Sequence, residues 1–104
     1  MFATIRRYDG VDQTRVDEVT RKVNETLVPK LSKLPGFAGY YLIEAGNGVF
    51  SSIGLFETPE QGRESSNLVA AWIRDEHLET VIPNEPKITS GEVVAHSDRT
   101  PVAA

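Results

Sequence analysis

Residues 37–56 read FAGYYLIEAGNGVFSSIGLF, and two β-strands are legible in them. Phe37 to Glu44 is rich in aromatic and branched side chains, and so is Val49 to Glu57. Ala45-Gly46-Asn47-Gly48 separates the two runs. Asn and Gly tolerate positive φ, so an Asn-Gly pair between two strands is a strong hairpin signal. The strands are therefore expected to be antiparallel neighbours.

Upstream, Phe2 to Tyr8 has strand character, and Gly10 breaks it. From Asp12 the pattern turns helical: Val16, Val19, Val23, Leu27 and Leu31 recur at steps of three and four. Thr14 with Asp17 can form a capping box, and Asp12 is a second candidate cap. Pro29 is expected to kink this helix or end its regular part near Val28, and Pro35-Gly36 stops it. Downstream of the hairpin, Thr58-Pro59-Glu60-Gln61 opens a second helix with a cap, a proline suited to the first turn and a capping-box glutamine. Leu68, Ala71, Trp72, Leu78 and Ile82 extend its apolar stripe as far as Pro83-Asn84-Glu85-Pro86. Ile88 to His96 reads as a fourth strand, and residues 97–104 as a polar, flexible tail.

The order β-α-β-β-α-β is that of a ferredoxin-like α+β domain, here over residues 1–96, with a four-stranded antiparallel sheet. A weak internal repeat agrees with it. Phe2, Ile5, Tyr8, Asp9, Asp12 and Gln13 match Phe50, Ile53, Phe56, Glu57, Glu60 and Gln61 at a constant offset. Two helices cover only one face of such a sheet, and a face left to water alternates with polar residues. These strands do not. Phe37, Tyr41 and Ile43 are expected on one face of strand two, with Ala38, Tyr40 and Leu42 on the other. In strand three Phe50 and Phe56 oppose Val49, Ile53 and Leu55. Both faces are apolar, which calls for a second copy of the chain: a homodimer with facing sheets.

Composition narrows the partners. A chain of 104 residues is one domain by length. It has no cysteine, so disulfides, thiolate nucleophiles and cysteine-held metals drop out. The net charge is −4 and the 11 basic residues are scattered, which disfavours nucleic acid. The segment Asn47 to Ser52 also lacks the basic residue and alternating aromatics of an RNA-recognition strand. No apolar run nears the ~20 residues of a membrane span, and MFATIRRYDG lacks the order of a signal peptide, so a cytoplasmic location is expected.

The strand order, the apolar sheet faces, the segment Pro35 to Tyr41 and the tryptophan on the second helix resemble the antibiotic biosynthesis monooxygenase domains, in their short stand-alone form. The resemblance covers about residues 1–96 and implies a dimeric α+β barrel with a small organic ligand. It also implies one of two chemistries. Some members oxidise anthrone-type phenols with molecular oxygen and no cofactor, using an Asn and a Trp one turn apart on the second helix. Here Asn67 and Trp72 are five positions apart, about 140° around a helix, and Ala71 takes the i+4 position. Others degrade haem with an Asn on the first strand, a Trp and a His. Here that strand, FATIRRY, has no Asn. No cofactor is therefore expected.

The candidate site residues follow. Trp72 is expected to wall a pocket between the second helix and the sheet. His77 and Asn67 are the candidates for catalysis, His77 because imidazole titrates near neutral pH. Tyr40 and Tyr41 are adjacent on a strand, so one faces the helices and the other the opposite side. Arg6 and Arg7 divide in the same way, and an inward arginine, costly unless paired, would anchor an anionic or phenolate ligand. His77 and His96, the two histidines, are 19 positions apart, and no metal site is expected. Two functions stand: a cofactor-independent monooxygenase on a small aromatic or quinol-like compound, and a non-catalytic domain for ligand binding or dimerisation.

Overall fold

A computed structural model describes residues 1–97. The tail expected over 97–104 lies, apart from Ser97, outside the described residues. Strand β1 (Phe2–Tyr8) leads through a short 3-10 turn (Gln13–Arg15) into one helical run: α1 (Val16–Lys22), a π turn (Val23–Leu27) and α2 (Val28–Ser32). Strands β2 (Phe37–Gly46) and β3 (Val49–Phe56), helix α3 (Pro59–Asp75) and strand β4 (Lys87–Glu92) follow. The sheet order is β2-β3-β1-β4, antiparallel throughout, as a ferredoxin-like fold requires. Among the described residues no helix is long and apolar enough to cross a membrane.

The hairpin forms as expected: Asn47 and Gly48 take φ of 54° and 76° between β2 and β3. The Asp12 carboxylate, not Thr14, caps the first helical turn, accepting from the Thr14 N–H. Thr58 and Gln61 form the full capping box of α3. The first helix meets Pro29 by widening. Proline has no N–H to donate and its ring would press on the carbonyl four residues back. Just before it the backbone passes through the π turn, and the Val28 N–H reaches the Val23 carbonyl five residues back.

Alternate residues of the strands face the helices: Thr4, Arg6 and Tyr8 on β1; Phe50, Ser52, Gly54 and Phe56 on β3. The core lies between them and Val19, Val23, Leu27 and Leu31 of the first helical run and Val69 and Trp72 of α3. Phe37 does not share a face with Tyr41 as alternation predicted. A register shift between Phe37 and Gly39 inserts an extra residue, and Phe37 packs on the helix side, edge-on to Phe56 at 5.7 Å. The other face carries the expected apolar row. Tyr41 pairs with Ile53 and Ile53 with Ile5, with Ile43 and Leu55 beside them. Tyr41, Ile43 and Ile5 are 61, 46 and 39% exposed.

Two boundaries differ from the sequence reading. Strand β4 stops at Glu92, where its pairing with Phe2 ends, and one further bond follows, from the Val93 N–H to the Met1 carbonyl. Helix α3 stops at Asp75, so Leu78 and Ile82 are not on it. His77 takes φ 56°, its N–H bonds the Arg74 carbonyl, and the Leu78 N–H bonds the Ile73 carbonyl. This is a Schellman closure with histidine where glycine is usual, which is why no stop was visible. Leu78 still reaches the core: it and Val81 are fully buried in the turn that follows.

Candidate ligand groove over Arg6

Alternation along β1 sends Arg6 inward and Arg7 outward. Arg6 is 2% exposed, whereas Arg7 lies in solvent against Asp9. On β2, Tyr40 faces the helices and Tyr41 the open face. The sequence reading missed Tyr8, which alternation places beside Arg6 on the buried face. Arg6, Tyr8 and Tyr40 thus share the buried face of the sheet, Arg6 and Tyr8 on β1 and Tyr40 on β2 across β3.

Arg6 has neutral partners. Its Nη2 donates to Ser65 Oγ at 3.0 Å and to Ser66 Oγ at 2.6 Å. Both hydroxyls in turn donate to the Gly62 carbonyl. Among the described residues no carboxylate lies within ion-pair distance of Arg6. Burial lowers its pKa, and the fields of Tyr8 and Tyr40 push the other way. Burial also raises the Tyr8 phenol, against the field of Arg6. Tyr40 is pushed up to about 12, chiefly by burial and then by Tyr8, against a hydrogen bond with Ser52 and the field of Arg6. At neutral pH Arg6 is therefore a buried cation and both phenols are protonated, Tyr8 beside it on β1 and Tyr40 further off on β2.

Above Arg6 and Tyr8 lies an open groove of about 500 Å³, which Tyr40 does not line. One wall is α3, at Ser66, Ala70 and Ile73; the other is Ile82 to Pro86 and Ile88. The groove exists because α3 sits over β1 and leaves the helix side of β4 bare. Gly62 lets the helix come that close: a Cβ there would meet the Phe2 ring at 3.0 Å and Thr4 Oγ1 at 3.2 Å.

Trp72 does not wall this groove. It is 3% exposed, and its indole N–H donates to Thr26 Oγ1 at 2.7 Å. Thr26 sits in the π turn and passes its own proton to the Lys22 carbonyl. The void beside Trp72 measures about 20 Å³, room for one water. Trp72 is thus packed core. On β3, Ser52 and Gly54 face the helices and Ser51 faces away. Asn67 is exposed on α3 at the other end of the bare β4 face, and Arg7 and Tyr41 lie off the site.

His77 is exposed and sits in the left-handed position that ends α3. Its placement is that of a helix stop. His77→Gly is expected to raise stability by about 0.5–1 kcal/mol, because glycine takes that backbone without strain. Thermal melting would read the gain, and loss of stability on this change would refute the capping role.

No protein-family model matches the chain, and no curated protein does. Solved structures match over nearly its whole length. The ActVA-Orf6 monooxygenase of Streptomyces coelicolor, bound to nanaomycin D, superposes with a TM-score of 0.71 at 14% identity, covering 95% of this chain and 92% of that one. A MhuD variant holding two manganese protoporphyrin IX molecules per active site gives 0.73 at 17%, covering 95% and 100%. A dimeric ferredoxin-like protein from an uncultured marine organism gives 0.68 at 15%, covering 95% and 92%. At such identities the likeness is one of fold, and the fold is that of the antibiotic biosynthesis monooxygenases.

Proposed function

We propose that the chain binds a small phenolic or quinol-like compound as its anion in the groove over Arg6, and oxidises it with molecular oxygen. The observation that carries this reading is the buried Arg6 guanidinium, without a carboxylate partner among the described residues, at the floor of an open groove. An uncompensated buried cation is costly, and an anionic ligand offsets the cost. A phenolate oxygen would accept from Arg6, and Tyr8, protonated, would donate beside it. The cation lowers the ligand's own pKa. The ring then becomes electron-rich enough to pass electrons to oxygen directly. On an anthrone-type ring one O2 converts CH2 to C=O, and its second oxygen leaves as water. Glu79, on the groove wall, would take up the proton. The shared fold with a ligand-bound monooxygenase supports the reading.

A second reading keeps the ligand and drops the chemistry. Tyr8, held protonated in the groove, favours it, since it is no base at neutral pH. Calorimetric titration with a set of phenols and aromatic acids tests binding. An oxygen electrode with the compounds that bind separates the two readings: oxygen uptake in step with product supports the monooxygenase, and binding without uptake supports the carrier.

We further propose that the working form is a homodimer whose sheets face one another. The support is the apolar row of Tyr41, Ile53 and Ile5 on the uncovered face, and the dimeric state of a protein with the same fold. Ile53 is the middle of that row. Ile53→Asp puts a carboxylate at the centre of the interface, where it has no partner, and is expected to give a folded monomer. Light scattering at micromolar concentration should show a dimer for the parent chain and a monomer for the variant. A monomeric parent would refute the dimer.

A further inference from the structure

The core void beside Trp72 does not stand alone. Tyr8, Ile73 and Ile82 line it and also line the groove over Arg6. On its other side it shares Val23, Tyr40, Leu42 and Phe50 with a second depression, of about 220 Å³. Thr20, Asn24 and Glu44, all exposed, bring that depression to the surface between the first helical run and β2. The three spaces thus form one line through the core, from the β2 side of the molecule to the groove. The void in the middle is apolar, with Val19, Leu27 and Val69 among its walls. The Trp72 indole N–H already donates to Thr26, and the Tyr40 phenol has its hydrogen bond with Ser52. Among the described residues no buried side-chain nitrogen or oxygen is left without a partner. A buried water is held by about two to four polar groups, and an apolar cavity without them stays dry and takes up apolar guests.

We infer that this void is a binding site for dioxygen, filled from the β2 side and emptying into the groove past Tyr8, Ile73 and Ile82. The inference rests on the oxygen-using reading of the groove and adds where the oxygen waits. Dioxygen is apolar, close to water in size, and asks for no hydrogen bond. At about 20 Å³ the void admits one such molecule and nothing larger. A ligand seated over Arg6 closes the groove to solvent, so a route from the opposite side keeps oxygen arriving after the ligand has bound. Tyr8 belongs to both spaces, so oxygen leaving the void comes out beside the group that holds the ligand.

The test places methyl-labelled protein under oxygen and reads paramagnetic line broadening by NMR against degassed buffer. The methyls of Val23 and Val69 line the void and are expected to broaden. Those of Leu31 and Leu78, as deeply buried but away from the void, are expected to stay sharp. Val69→Ile narrows the void without altering the groove lining, and Val69→Ala widens it. Circular dichroism verifies that both variants fold. With a phenol that is turned over, Val69→Ile should raise the KM for oxygen severalfold and Val69→Ala should not, while the Kd of the phenol stays the same in both. If all four methyls broaden alike or none does, or if Val69→Ile folds and leaves the KM for oxygen unchanged, the void is not the oxygen site, and the monooxygenase reading stands without it. If Val69→Ile does not fold, the broadening pattern of the parent chain decides alone. If Val23 and Val69 broaden but no phenol that binds drives oxygen uptake, it is the monooxygenase reading that fails, and the void has no reaction to supply.

Discussion

Arg6→Met is expected to weaken anion binding strongly and at the same time to make the domain more stable. The two effects have one origin. The guanidinium is buried, its pKa lowered by desolvation, and its Nη2 partners are the hydroxyls of Ser65 and Ser66. Neutral acceptors do not repay the removal of a full charge from water, and replacing buried charges by apolar groups of similar length often stabilises. Nothing is orphaned by the change, because both serines already donate to the Gly62 carbonyl. Methionine follows the same path through the core with an adaptable side chain. A gain of about 1 kcal/mol, roughly 4–8 °C in Tm at matched protein concentration, is expected. Binding should fall on the order of 100-fold, the worth of two charge-assisted hydrogen bonds to a buried ligand. Differential scanning calorimetry and titration on the same preparation read both quantities. A large fall in Tm would mean that Arg6 is a structural strut, and the anion site would lose its support.

The hairpin was legible because its cause is local: Asn47 and Gly48 take positive φ whatever surrounds them. The helical cap at Thr58 and the burial of Val19, Val23, Leu27 and Leu31 were legible for the same reason, since periodicity and capping are properties of neighbouring residues. Phe37 was assigned to the wrong face because a single inserted residue reverses every side chain beyond it and leaves no mark on composition. The end of α3 was hidden because Trp72, Leu78 and Ile82 keep nearly helical spacing while the backbone turns at His77. The site divides likewise. That one of Arg6 and Arg7 faces inward follows from alternation; that it is Arg6, with Tyr8 beside it, depends on which sheet face the helices cover. The groove itself follows from where α3 crosses the sheet. That placement depends on Gly62 meeting Phe2 and Thr4, contacts across 60 and 58 positions, and no local pattern encodes it.

The segment between α3 and β4 gives the other large effect. Leu78→Ala is expected to destabilise the domain by about 2–5 kcal/mol, the range for emptying a fully buried leucine site. Collapse around the cavity is limited, because the segment is tied on several sides. The Leu78 N–H bonds Ile73, and the Leu78 carbonyl accepts from Val81 and Ile82. The Val81 carbonyl accepts from Asp12, Asn84 donates to the Asp9 carbonyl, and Lys22 donates to the Glu76 carbonyl. Leu78 and Val81 are the apolar weight behind this frame, and Ile82 to Pro86, carried on its outer side, form the groove wall. A fall in Tm on the order of 10 °C or more is expected, with weaker ligand binding although Leu78 does not line the groove. Leu78→Met conserves volume and should cost less than about 1.5 kcal/mol, keeping the affinity. Chemical denaturation and titration of both variants check this. If the alanine variant unfolds with a loss under about 1 kcal/mol, the segment is not packed as a core element. If stability falls as expected and affinity does not, the wall from Ile82 to Pro86 takes no part in binding, and the ligand is held by Arg6 and α3 alone.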